Sequence, residues 1–239
     1  MTFSSSLLSR RTIIMLVVIV LVLLVSGLWY AGDKSLKMRQ AEEVATDSKI
    51  LAEYNQLELL VKQKQAKGEK FAHFTSELLG PSYTVNDLSI IEKETALEIR
   101  NYGLALHQAL LPISIAFPDP TQLVLEAFGK QNSEGGNQIS FQAKSYQQVT
   151  ENLTKISVPQ SAITAHLRLI NNTRELSAIL KAMSEITVEP IKALEASKIL
   201  QPRQEEFSKA LYFLNTYFKD KGIIFSEKEQ ILLPTIFEE

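Results

Sequence analysis

Between Ile13 and Ala31 every residue except Ser26 and Gly27 is apolar, and no side chain carries a charge. As a helix rising about 1.5 Å per residue, this run is roughly 28 Å long, close to the roughly 30 Å of hydrocarbon in a bilayer. It predicts a transmembrane anchor over 13–31, and everything after it becomes a tethered domain. Arg10 and Arg11 precede the run and predict a cytoplasmic flank over 1–12, with Trp29 and Tyr30 at the far interface. Lys34, Lys37 and Arg39 on the far side count against this orientation. The order of positive flank then apolar run is nevertheless that of a signal-anchor, and large domains translocate largely regardless of charge. The expected location is therefore the membrane, with the amino terminus cytoplasmic and the carboxy-terminal domain extracytoplasmic. The competing reading is a cleaved signal peptide with its site at Val25-Ser26-Gly27. Against it, the run continues into Leu28, Trp29 and Tyr30 without a polar break.

Past the anchor the chain carries 23 basic and 27 acidic side chains, a net charge of −4, which offers no basic footprint for nucleic acid. There is no cysteine, so disulfide frameworks, thiolate metal sites and cysteine nucleophiles are all excluded.

Helical spacing dominates the remainder and predicts an all-α fold. Ile50, Tyr54, Leu57 and Val61 recur at helical intervals from Asp33 to about Leu79, so 32–80 reads as a stalk or first bundle helix that Gly80-Pro81 stops. The bundle proper is expected over 81–239. Its second helix opens at Thr84, with Asp87 completing a capping box, and carries Ile90, Leu97, Leu104 and Leu111 beside Ile91, Ile99, Tyr102, Leu106 and Leu110. Gly103 within that face predicts a close approach by another helix. Pro112 ends or bends this helix, and a short helix over 121–128 follows.

The stretch 131–137, containing Gly135 and Gly136, reads as a flexible surface loop, after which a helix runs from Ser140 to about Ile156. Ser157 and Pro159 predict the start of the central helix, which carries Leu169, Leu176, Leu180 and Met183. Pro190 and Pro202 each predict a new helix, the latter with Phe207, Leu211, Leu214 and Phe218, and Gly222 is the expected terminator. The apolar tail Ile231 to Phe237 is expected to pack back on the bundle or to dock a partner.

Tyr83-Thr84 with Asp87-Leu88, the run Arg100 to Leu106, Val158-Pro159 with His166 to Asn171, and Glu189-Pro190 with Ala193-Leu194 form a recognisable set. Over roughly Tyr83 to Ile224 the chain resembles a group of uncharacterised membrane-anchored helical proteins of candidate-phyla (patescibacterial) bacteria. The resemblance implies a single amino-terminal anchor and an extracytoplasmic helical domain. It brings no catalytic residue.

Chemistry-bearing motifs are sparse. His73, His107 and His166 lack a partner histidine at i+3 or i+4, so no metal site is expected, and both His107 and His166 read as bundle-edge residues with one ring nitrogen bonded. No nucleophile elbow is present, and Gly135-Gly136 lacks the flanks of a phosphate loop. The expectation is no enzyme activity and no cofactor. One polar block stands out: Asn171, Arg174 and Glu175 share a helix face. Facing Arg100 and Asn101, they would form a polar seam that binds a small anion or fixes helix register.

These observations lead to a single-pass structural or interaction component of a cell-envelope assembly, of pilus or secretion type, with a protein partner or self-association. An extracytoplasmic ligand-binding sensor module acting through a partner is the alternative.

Overall fold

The computed structural model describes residues 52–225, except 53, 54, 57, 60, 61, 64, 68–71, 131 and 132. The expected anchor, the cytoplasmic flank and the apolar tail lie outside the described residues. Among the described residues no helix is long and apolar enough to cross a membrane. The chain divides into two compact units, Met1–Asn55 and Gln56–Glu239, and the second holds the elements that follow.

Among the described residues five helices carry the fold: α1 (Ala96–Leu110), α2 (Pro120–Lys130), α3 (Glu134–Leu153), α4 (Ile163–Ser184) and α5 (Pro190–Asp220). The all-α reading holds for the described residues, with one small exception. Two three-residue strands, β1 (Ser89–Ile91) and β2 (Ser157–Pro159), pair in parallel with Ser89 opposite Ser157 and Ile91 opposite Pro159. Helix α4 packs along both α3 and α5 and is central, as its apolar rows predict. Leu169, Ile170, Leu176, Ile179, Leu180 and Met183 are all buried on it.

Several boundaries differ from the sequence reading. The first helix does not reach Leu79: residues 72–75 are outside any helix and Ser76–Leu79 form a single 3-10 turn. The Thr84–Asp87 pair forms, but around a 3-10 turn. There the Asp87 carboxylate accepts from the Thr84 backbone N–H at 2.7 Å and from its hydroxyl at 2.9 Å. Strand β1 follows, and the helix starts only at Ala96. A second box starts it: Thr95 N–H donates to Glu98 Oε2 at 2.7 Å, and Glu98 N–H donates to Thr95 Oγ1 at 3.2 Å.

That later start changes which row is buried. Ile90 lies on β1, Leu97 is 67% exposed on α1, Leu104 is half-buried there, and Leu111 follows α1 in a 3-10 turn. The core side is Ile99, Tyr102, Leu106, Ala109 and Leu110. Gly103 is needed on that side, although what approaches is the Phe225 ring following α5 together with Phe218, rather than a neighbouring helix alone.

The expected surface loop over 131–137 is the largest correction. Helix α3 begins at Glu134, and Gly135 and Gly136 are buried in its first turn. A Cβ on Gly135 would lie 2.5 Å from the Leu123 carbonyl oxygen, and one on Gly136 would lie 2.7 Å from that of Ser184. These glycines let α2 and the end of α4 approach the α3 backbone, so they report contact rather than flexibility. Similarly, Ser157 and Pro159 form β2 instead of a helix start; a 3-10 turn over Gln160–Ala162 intervenes before α4.

Pro190 opens α5 as predicted, but Pro202 does not break it, and 31 residues form one helix. Pro202 and Lys198, the residue whose carbonyl it cannot bond, are both exposed on the outer side. Phe207, Leu211, Leu214 and Phe218 hold the inner side as expected. Gly222 terminates the helix at φ 67°, with its N–H on Lys219 O at 3.0 Å and the Ile223 N–H on Phe218 O at 2.9 Å. This is the Schellman pattern that glycine permits.

Candidate functional site

The helix-phase prediction for Asn171, Arg174 and Glu175 can be followed atom by atom. Asn171 brackets one residue: its Oδ1 accepts from the Tyr83 N–H at 2.8 Å and its Nδ2 donates to the Tyr83 carbonyl at 3.1 Å. Arg174 Nη1 donates to Gly80 O at 2.8 Å, and its Nη2 is 3.3 Å from Glu175 Oε1. Arg203 Nη1 on α5 stands 3.0 Å from Glu175 Oε2, yet at an angle that leaves this oxygen without a hydrogen bond. The seam therefore clasps segment 80–83 and α5. Arg100 is directed elsewhere, its Nη1 on the Ile224 carbonyl at 2.8 Å, and Asn101 is exposed on α1. What the seam does is hold an irregular segment with no buried side chain of its own against α4.

The same segment is tied further along. Glu189 Oε2 accepts from the Ala72 N–H at 2.8 Å, and Glu195 accepts from the Phe74 N–H at 2.7 Å and meets His73 Nδ1 at 2.8 Å. His73 is thus an exposed residue bonded to a carboxylate, and no group of three metal-ligating side chains occurs among the described residues. His107 has its Nδ1 buried without a hydrogen-bond partner among the described residues. His166 is not at a bundle edge: it is fully buried on α4, with Nδ1 3.1 Å from Tyr102 Oη and Nε2 3.1 Å from Leu153 O. A carbonyl only accepts, so Nε2 carries the proton and the Tyr102 hydroxyl donates to Nδ1. Burial lowers the His166 pKa to about 4, partly opposed by the Leu153 hydrogen bond, so the imidazole is neutral.

A cleft that the sequence reading missed lies among α3, α4, α5 and the turn before α2. Its volume is about 510 Å³, within the range of small-molecule sites. Each helix contributes a stripe at one-turn spacing: Gln142 and Tyr146 from α3, Leu176 and Leu180 from α4, Leu200, Gln201 and Gln204 from α5. Phe117-Pro118-Asp119-Pro120 forms the fourth wall. Two prolines hold this turn rigid, and Asp119 caps α2, its Oδ1 accepting from the Thr121 N–H at 2.8 Å.

Gln142 is the pivotal residue. It is only 2% exposed, and its Nε2 donates to Pro118 O at 2.9 Å, which fixes the amide orientation. Its Oε1 has no hydrogen-bond partner among the described residues. Tyr146 sits one turn away with its ring edge on Phe207, 5.9 Å between centroids, and burial pushes its hydroxyl pKa up to about 12. The hydroxyl is therefore protonated and can donate. Phe117 meets Phe141 edge-on at 6.2 Å.

A signal for this site exists in the sequence. Gly135, Ile139, Gln142, Tyr146, Val149 and Leu153 alternate by four and three, one continuous core stripe of α3, and two of its members are polar. Comparison with family models, with curated proteins and with solved structures found no match.

Proposed function

We propose that this protein is a single-pass membrane-anchored module, amino terminus cytoplasmic and helical domain extracytoplasmic, that works by binding a ligand in the α3–α4–α5 cleft. The observation that carries the reading is Gln142: a buried amide whose orientation is fixed by Pro118 O and whose remaining acceptor lies in a cleft of ligand size. A ligand entering the cleft can donate to that oxygen in place of solvent. The reading includes no reaction and no cofactor, and any signal passes through a partner. The resemblance to membrane-anchored helical proteins of patescibacterial bacteria agrees with the anchored arrangement.

The test is a thermal-shift screen of small metabolites on the full chain in maltoside micelles, since a ligand stabilises only by binding the native state. A saturable rise in Tm that Gln142→Leu abolishes supports the reading. A screen with no saturable shift, or shifts indifferent to Gln142, refutes it. Alkaline extraction and outside-added protease test the anchor and its orientation separately.

The second reading, a component of a cell-envelope assembly, draws on exposed apolar side chains: Phe141, whose ring meets Phe117 of the cleft wall, is 56% exposed, and Ile115 is 52% exposed. Photocrosslinking from position 141 in native membranes should then capture a partner or a second copy. Recovery of monomer alone ends that reading.

A further inference from the structure

We infer that the cleft takes a small organic cation, an amine or quaternary ammonium that also carries a hydrogen-bond donor; this rests on the ligand-binding reading above. Among the described residues the lining contains no Lys, Arg or His, so an anionic ligand would meet no opposite charge there, and its one charged member is Asp119. One carboxylate oxygen is engaged by the Thr121 N–H, and Oδ2 has no hydrogen-bond partner among the described residues. Phe117 and Tyr146 add two aromatic rings, whose faces attract cations, most strongly where water is excluded.

The remaining polar group extends the description. Gln142 presents its Oε1 acceptor to the cleft on a residue 2% exposed, so a donor on the ligand can take the place of solvent there. Asp119 is exposed at the mouth and Gln142 is deep, which sets the cationic end outward and the donor inward. The charge preference is moderate for two reasons. Asp119 stands at the N-terminus of α2, where the helix dipole offsets part of its charge, and it is open to solvent.

The experiment compares choline with 3,3-dimethylbutan-1-ol, its uncharged isostere of the same shape with the same hydroxyl. Both are titrated calorimetrically into the full chain in maltoside micelles. Choline should bind saturably and about tenfold more tightly than the alcohol. Asp119→Asn should bring choline down to the level of the alcohol and leave the alcohol unchanged. Asparagine is as good an N-cap as aspartate, so this variant keeps α2. Gln142→Leu should weaken both probes.

Equal affinities for the two probes, or a choline preference that survives Asp119→Asn, overturn the cation assignment while leaving ligand binding intact. Absence of binding by either probe also overturns it, and the metabolite screen then decides the broader reading on its own. Saturable binding of choline that disappears in Asp119→Asn supports it.

Discussion

His166 makes the stability of the helical domain depend on pH in a calculable way. In the folded chain its pKa is about 4 because burial disfavours the imidazolium, whereas an unfolded histidine titrates near 6.5. Between these values the unfolded state binds a proton that the folded state does not. The contribution is therefore fully present above pH 6.5, is lost as pH falls, and changes no further below pH 4. Integrating between pH 7 and pH 5 gives a loss of about 2 kcal/mol from this residue. Carboxylates titrate too, so the comparison requires a variant that lacks only the titration. His166→Gln supplies it, because the glutamine amide can donate to Leu153 O and accept from the Tyr102 hydroxyl, the two bonds His166 makes. Urea unfolding of the full chain in maltoside micelles, followed by circular dichroism at pH 7 and pH 5, should show the parent losing about 2 kcal/mol more than the variant. Equal losses, or an imidazole resonance titrating above pH 6 in the folded chain, would refute the reasoning.

Gly136→Ala gains about 1 kcal/mol of helix propensity but places a methyl 2.7 Å from the Ser184 carbonyl oxygen. It should destabilise by about 1–3 kcal/mol on chemical unfolding, and a stabilised variant would contradict the packing argument. Pro202→Ala should act in the opposite sense, stabilising by about 1–3 kcal/mol as its new N–H bonds Lys198 O, again read by urea unfolding. Asn171→Ala and Arg174→Ala should each cost about 1–2 kcal/mol and speed amide exchange at Tyr83, whose N–H then loses its tether or its neighbour's. Unchanged exchange would show that segment 80–83 is held by something other than the α4 seam.

What the sequence could disclose follows from the range of the interactions that decide each feature. Gly222 and Pro190 act through local backbone geometry, and both sit where spacing places them. The α4 rows are legible because Leu169, Leu176, Leu180 and Met183 recur at helical spacing, and all four are buried. The α1 row was misread because Ile90, Leu97, Leu104 and Leu111 repeat every seven residues across a boundary that tertiary pairing creates. Strand β1 forms only because β2, nearly seventy residues away, lies alongside it. Gly135 and Gly136 failed for a related reason. In isolation glycine weakens a helix, and only the carbonyls of Leu123 and Ser184 turn that liability into a requirement.

The cleft shows the same limit from the side of function. Gln142 and Tyr146 can be placed on the buried stripe of α3 by counting residues, and a buried amide implies a partner. Counting cannot say whether that partner is protein. In this fold the amide nitrogen donates to Pro118 O, while the oxygen has no protein partner among the described residues and opens on the cleft, which distinguishes a site from a packed core. Polar residues such as Thr150 and Thr173 supply the contrast. They are equally buried on neighbouring helices, but Thr150 Oγ1 donates to Thr173 Oγ1 at 3.0 Å, and Thr173 Oγ1 donates to Ile170 O at 2.9 Å. Neither threonine lines the cleft, whereas Gln142 opens on it.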